Sequence, residues 1–301
     1  MEPEHTKSIE QNLGQIADIL LLNGTLTECP GLVHGKMGIS VFFFHYTQYT
    51  GNDLFADYAM DLIGEMMNQI HVNSPADYEK GLAGIGVGID YLIRNNFLNI
   101  EDDICEDFDG RMYRAVMYDP WQDFSQYNGL TGYGRYWMTR LRYQGPSIQA
   151  RECLLRIAAL IEERLPDVSE NEKTDVYCFL HDLSTNYSNH EMLCETNLHK
   201  IIGFDSCKGL LEQCRRKWDV PSLDVPRLGG SAVGNIIHAY QRSRYFNDAL
   251  QDDIDNTLKQ IQALDMEKAP SGTGLLNGYA GEGMIRLSSL NQINLSWMQL
   301  I

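Results

Sequence analysis

The chain has 301 residues, 44% of them hydrophobic, and its 41 Asp and Glu outweigh 24 Lys and Arg to give a formal net charge of −17. That balance argues against nucleic acid or an anionic membrane as partner, since both select concentrated positive charge; a basic peptide is compatible, although a solvated acidic surface needs no partner. No apolar run reaches the roughly 18 residues of a membrane span, and the first residues, MEPEHTKSIEQ, lack the basic-then-apolar order of an export signal, so a soluble, cytoplasmic protein is expected.

In chain order, the first predicted element is an amphipathic helix over residues 9–22. Residues 30–46, PGLVHGKMGISVFFFHY, then hold two glycines three apart, Gly35 and Gly38, ahead of an aliphatic and aromatic run. Ile39, Phe42, Phe43 and Tyr46 fall at i, i+3, i+4 and i+7, one face of a helix. The glycines suit a tight turn and a close backbone approach. The same frame returns at Gly81 and Gly84 in EKGLAGIGVGIDYL, at Gly129 and Gly132 in QYNGLTGYGRYWMTRL, and at Gly278 and Gly281 in GLLNGYAGEGMIRLSSL; a weaker copy lies at Ser231 and Gly234. First frame residues are spaced by 46, 48, 102 and 47 residues, so the long step holds two units and one copy that cannot be read. A fixed period of this size signals a repeat architecture.

Between frames lies a second amphipathic segment, such as Leu54, Tyr58, Leu62 and Met66, or Leu250, Ile254, Leu258 and Ile261. Each unit therefore reads as a helical hairpin: a glycine-opened apolar inner helix and a more charged outer partner. Six hairpins fill residues 1–301 as a single all-α domain if the helix at 9–22 is the outer partner that starts the series. Seven cysteines, at 29, 105, 153, 178, 194, 207 and 214, form no pattern and read as reduced thiols.

Serial frames of the form GLxxGxxG at matched spacing, over nearly the whole chain, resemble the lanthionine synthetase C-like family. The resemblance implies an α/α toroid of concentric inner and outer helices. It also implies an activity, the addition of a cysteine thiol to dehydroalanine or dehydrobutyrine in a precursor peptide to close thioether rings, with a dehydratase as maturation partner. Members hold zinc with two cysteines and a histidine, which turns a mostly protonated thiol into a bound thiolate, and a second histidine protonates the enolate. This chain departs from that pattern. Gly229-Gly230-Ser231 stands where Cys-His-Gly is expected, no Trp-Cys occurs, and Ser125 replaces an aspartate, with Asp123 close by. A fourth copy aligned on NLHKIIGFDSCKGLL puts Gly203 in the frame and Ile202 in the histidine position. The expectation is a degenerate, zinc-free, peptide-binding member with no cofactor. An active cyclase using a different site, and a toroid that binds a small molecule or glycan through paired carboxylates, remain alternatives.

If the units close into a ring, the residues just before each frame glycine gather at one mouth. They are His34, Lys80, Asn128, Gly230 and Asn277. A few polar groups above an apolar interior make a binding funnel; alternatively, the asparagines and His34 cap the following helices. Glu79 beside Lys80, and Arg135 and Glu282 just after the frames, complete the substrate-binding candidates, and His34 is the one catalytic candidate. Glu282 is explained equally by the helix dipole, and Arg135, opposed to it, seeks an anionic ligand or Glu79. Cys178, His181, His190 and Cys194 have spacing compatible with a metal, although Asn186 to Asn189 reads as a plain turn.

Overall fold

The apolar run behind Gly35 forms a helix, α2 (Lys36–Thr50), in which every residue from Lys36 to Tyr46 is buried. The structure, a computed structural model, describes residues 3–99, 105–143, 147–187, 272–290 and 292–301, and the single positions 234, 236, 237, 240, 241, 244 and 245. The described residues are mostly helical, with one isolated bridge between Gly272 and Gly278 and no strand, an all-α arrangement. It divides into two compact units, Met1–Ser74 with Tyr91–Leu98 and Leu223–Ile301, and Pro75–Asp90 with Asn99–Ser222.

In the first unit, α1 (Pro3–Asn23) buries Ile9, Leu13, Ile16, Ala17 and Leu20. The partner of α2 is α3 (Leu54–Gln69), which buries only Ala59, Leu62, Ile63 and Met66, the single face of an outer helix. Leu54, expected on that face, is the first residue of α3 and 71% exposed, so burial begins a turn later. The last helix, which we call α9 (Tyr279–Ser289), packs against both α2 and α1. The chain's first helix thus lies against α9.

The second unit holds α5 (Glu106–Met117), α6 (Leu130–Tyr143), α7 (Ile148–Arg164) and α8 (Glu170–Tyr187); α4 (Leu82–Arg94) begins in it and crosses the division after Asp90. α6 pairs with α7 and also meets α8. A buried network ties α5 to α6: the Arg140 guanidinium donates to both Asp109 oxygens, at 2.8 and 2.9 Å in its shortest bonds, and the Tyr136 hydroxyl donates to Asp109 as well. Ser169 precedes α8, and its backbone N–H donates to Glu172 Oε2 at 3.1 Å, the glutamate half of a capping box.

The frame has one geometry, four times over. The N–H just after the frame glycine donates to the carbonyl six residues before that glycine: Lys36 to Cys29 at 2.9 Å, Leu82 to Pro75 at 3.0 Å, Leu130 to Asp123 at 2.9 Å and Tyr279 to Gly272 at 3.0 Å. A helix start leaves its first N–H groups without partners inside the helix; here the preceding loop turns back and supplies carbonyls. The turn brings that loop so close that a Cβ on Gly35 would lie 2.2 Å from the Cys29 oxygen, and one on Gly81 2.3 Å from the Pro75 oxygen.

A second glycine position sets helix spacing. A Cβ on Gly283 would meet the Phe42 ring at 2.3 Å, on Gly86 the Tyr136 ring at 2.5 Å and on Gly134 the Phe179 ring at 2.2 Å. Phe179 belongs to α8, so α8 contacts α6 as α6 contacts α4, and the fourth unit is found there. The copy aligned on Gly203 lies outside the described residues.

Replacing Gly35 or Gly81 by alanine is expected to destabilise the fold by about 1–3 kcal/mol, because the obstacle is backbone. Gly14 and Gly64 have open space around them, and alanine there should stabilise by up to about 1 kcal/mol through helix propensity. Urea unfolding of the four variants checks the contrast.

Candidate functional site: the frame loops

The four loops carry the polar residues picked out by the repeat. In the first unit, the N–H groups of Leu275 and Leu276 both donate to the Val33 carbonyl, at 2.9 and 3.1 Å. This joins the loop bearing Asn277 to the loop bearing His34. Gly274 is pressed on the second loop so closely that a Cβ there would stand 2.4 Å from His34 Cα. His34 and Asn277 are half-buried, whereas the glycine after each is buried. Asn277 has φ of 56°, a left-handed conformation that asparagine tolerates better than most residues.

The second unit repeats the joint. Tyr78 and Glu79 donate their N–H groups to the Tyr127 carbonyl at 2.9 and 3.0 Å, which brings together the loops of Lys80 and Asn128. Both of those side chains are exposed. Lys80 Nζ lies 3.6 Å from Glu79 Oε1, an exposed pair worth at most about 1 kcal/mol, and its backbone N–H donates to Asp77 Oδ1 at 2.7 Å. The Asn128 N–H donates to Ser125 Oγ at 3.4 Å.

At α2 and α9 the cap residues are Gly35 and Gly278 themselves, and loop carbonyls receive the first N–H groups. The Arg135 guanidinium sits over the Tyr78 ring, 5.2 Å from its centroid, a cation–π contact that lets a positive charge stand near a helix start. Glu282 lies in the first turn of α9 and pairs with Arg286 one turn on.

Of the metal candidates, Cys178 and His181 lie on α8, where His181 Nδ1 is 3.8 Å from Asp182 Oδ1, while His190 and Cys194 lie outside the described residues. Among the described residues no three His, Cys, Asp or Glu side chains are grouped to share a metal ion. The residues aligned with the family's Cys-His zinc ligands do not fit zinc either, since Gly229 and Gly230 offer no side chain, and Ile202, aligned with the acid histidine, has no proton to give.

Three buried polar arrangements were not anticipated from the sequence. Besides the Asp109, Tyr136 and Arg140 network, Lys36 is 2% exposed and its amine donates to Glu65 of α3 at 2.6 Å. His45 Nε2 lies 2.8 Å from the Tyr91 hydroxyl. His45 and Tyr91 occupy the same place in their frames, ten residues past Gly35 and Gly81, so overlaying the copies offers a signal for this pair.

Burial depresses the His45 pKa from 6.5 to about 4. On acidification the unfolded chain therefore takes up the proton first. The stabilisation is complete above pH 6.5 and is lost as the pH falls towards 4, on the order of 3 kcal/mol in all. Unfolding free energies across this range should show the slope, and His45→Gln, which keeps a hydrogen-bonding group without a titration, should flatten it.

No protein-family model matches the chain and a comparison with curated proteins finds no match, so the functional reading rests on the residues, their repeat and their geometry.

Proposed function

We propose that the chain is a divergent lanthionine synthetase C-like protein, an α/α toroid that binds a precursor peptide on its frame loops without zinc. One observation carries the reading. The last frame loop engages the first, through Leu275, Leu276 and Val33, by the same pair of hydrogen bonds with which the second engages the third, through Tyr78, Glu79 and Tyr127. A series of hairpins whose last loop meets its first as neighbours meet each other is what a closed ring requires. The aromatic-on-glycine contact of Phe42 with Gly283, matching that of Tyr136 with Gly86, supports the same closure.

The binding groups proposed are those at the loop ends of the inner helices. They are His34, Asn277 and Glu282 in one unit and Glu79, Lys80, Asn128 and Arg135 in the other. Each stands at the start of a helix whose following residues are mostly buried and apolar, so polar groups fix orientation while apolar contact provides most of the affinity. Cyclisation is a further demand. A free thiol of pKa about 8.5 is mostly protonated at neutral pH, and the residues aligned with the zinc ligands have no donors. Binding of a peptide, delivered by a dehydratase or other maturation enzyme, is the function these residues support.

Synthetic peptides rich in Cys, Ser and Thr provide the test. Lys80→Ala and His34→Ala should each weaken binding, Lys80→Ala by roughly fivefold and less at high salt, with the melting temperature nearly preserved. Loss of stability with unchanged affinity of the folded fraction would make these residues structural. Elemental analysis after purification under reducing conditions should find no stoichiometric zinc; one equivalent, lost in Cys178→Ser, would instead point to the site on α8.

A further inference from the structure

The third frame loop, residues 123–128, is held from outside by two carboxylates that the frame-loop reading does not use. On α8, Glu172, Asp175, Val176 and Phe179 fall at i, i+3, i+4 and i+7, one face of the helix. The far end of that face is apolar: Val176 and Phe179 are buried, and the Phe179 ring lies on Gly134 of α6. Its leading end is acidic and meets the loop backbone. Glu172 Oε1 receives the Phe124 N–H at 2.7 Å, and Asp175 Oδ2 receives the Gln126 N–H at 2.9 Å. Between them the loop orders itself, with the Ser125 N–H donating to Asp123 Oδ1 at 2.5 Å and the Gly129 N–H to the Ser125 carbonyl at 2.9 Å.

Bonds from backbone N–H to an ionised carboxylate are roughly twice as strong as those to a neutral acceptor, and here they are linked at both ends. On the helix side, Glu172 Oε2 receives both the N–H of Ser169, at 3.1 Å, and the Ser169 hydroxyl, so one carboxylate joins the first turn of α8 to the loop. On the loop side, the residue after Gln126 is Tyr127, whose carbonyl receives the N–H groups of Tyr78 and Glu79 in the second loop, at 2.9 and 3.0 Å. The first loop, which receives the last through Val33 in the same way, has Pro30 at the place of Phe124, five residues before the frame glycine. Proline has no N–H to hold. The carboxylates of α8 thus meet a demand that the third loop's own sequence creates.

We propose that Glu172 and Asp175 are positioning residues for the loop site of the second unit: the start of α8 fixes the third loop, and through the Tyr127 carbonyl the second, so that Asn128 and Lys80 are presented together. The docking of α8 thereby governs whether this part of the site is assembled. The assignment deepens the proposed function and rests on it for what the loops bind, whereas the coupling rests on the hydrogen bonds alone.

Hydrogen exchange on the full chain reads the coupling without a ligand. Asp175→Ala removes one acceptor and leaves the Glu172 contact at the start of α8 in place. It should speed exchange of the Tyr78 and Glu79 amides roughly tenfold, the loss of one charge-assisted hydrogen bond, and leave the Leu275 and Leu276 amides of the first unit unchanged. Asp175→Asn keeps an acceptor oxygen and should recover most of the protection. Faster exchange of all four amides alike would reduce the effect to overall stability, and unchanged exchange of Tyr78 and Glu79 would show that the loops are not coupled; either result overturns the assignment. Asp175→Ala should also weaken binding of the Cys-, Ser- and Thr-rich peptides by the folded fraction roughly fivefold, and affinity equal to that of the unaltered chain would remove the positioning role. If those peptides do not bind the unaltered chain, the proposed function falls while the exchange result still decides the coupling.

Discussion

The close return of a loop onto the helix it precedes is the constraint on which the rest depends. A carbonyl six residues before the frame glycine receives the first free N–H of the helix, at 2.9 to 3.0 Å in all four clear copies. The approach leaves no room for a side chain. Glycine is required there because of the neighbouring backbone and not because of an unusual dihedral: Gly35 is extended, with φ of −128°. Once the loop has turned back, its last residues have a fixed direction. The residue before the glycine stands at the helix end, exposed or half-buried, whatever its chemistry.

The same constraint couples neighbours. Loops held this tightly can lend their remaining groups to the adjacent loop, and the Val33 and Tyr127 carbonyls each take two N–H groups from it. Behind the loops, glycines at Gly86, Gly134 and Gly283 let an aromatic ring from the next helix lie on the backbone. Two independent contacts, one polar and one apolar, therefore repeat with the period of the sequence. A shift of one helix along its neighbour would break both. Such mutual consistency is what makes a repeat array specify a single packing.

Much of this was legible. The spacing of Ile39, Phe42, Phe43 and Tyr46 gave α2, which is buried all round over Lys36 to Tyr46, whereas α3 is buried on one face. The fourth copy was illegible for a physical reason. In the second unit the Phe124 and Gln126 N–H groups are received by the side chains of Glu172 and Asp175, at 2.7 and 2.9 Å. These carboxylates take the place of the neighbouring loop's carbonyl in the joint, and α8 is preceded by Ser169 and not by a frame glycine. The capping box Ser169-x-x-Glu172 was the available signal for that helix. Arg135 was legible as an oddity but not as a partner of Tyr78, since a cation–π contact between residues 57 apart in the chain leaves no local pattern. The His45 and Tyr91 pair was hidden because an isolated histidine in an apolar run is usually core; only overlaying the copies aligns it with a tyrosine.

The central claim is that the frame loops pair within each unit, the last with the first and the second with the third, by the same hydrogen bonds. Hydrogen exchange at four amides measures this most directly. Those of Leu275 and Leu276, which donate to Val33, should exchange as slowly as those of Tyr78 and Glu79, which donate to Tyr127. Exchange of Leu275 and Leu276 at the rate of an unstructured chain, with Tyr78 and Glu79 protected, would show that the last loop does not engage the first and would remove the ground for a closed ring.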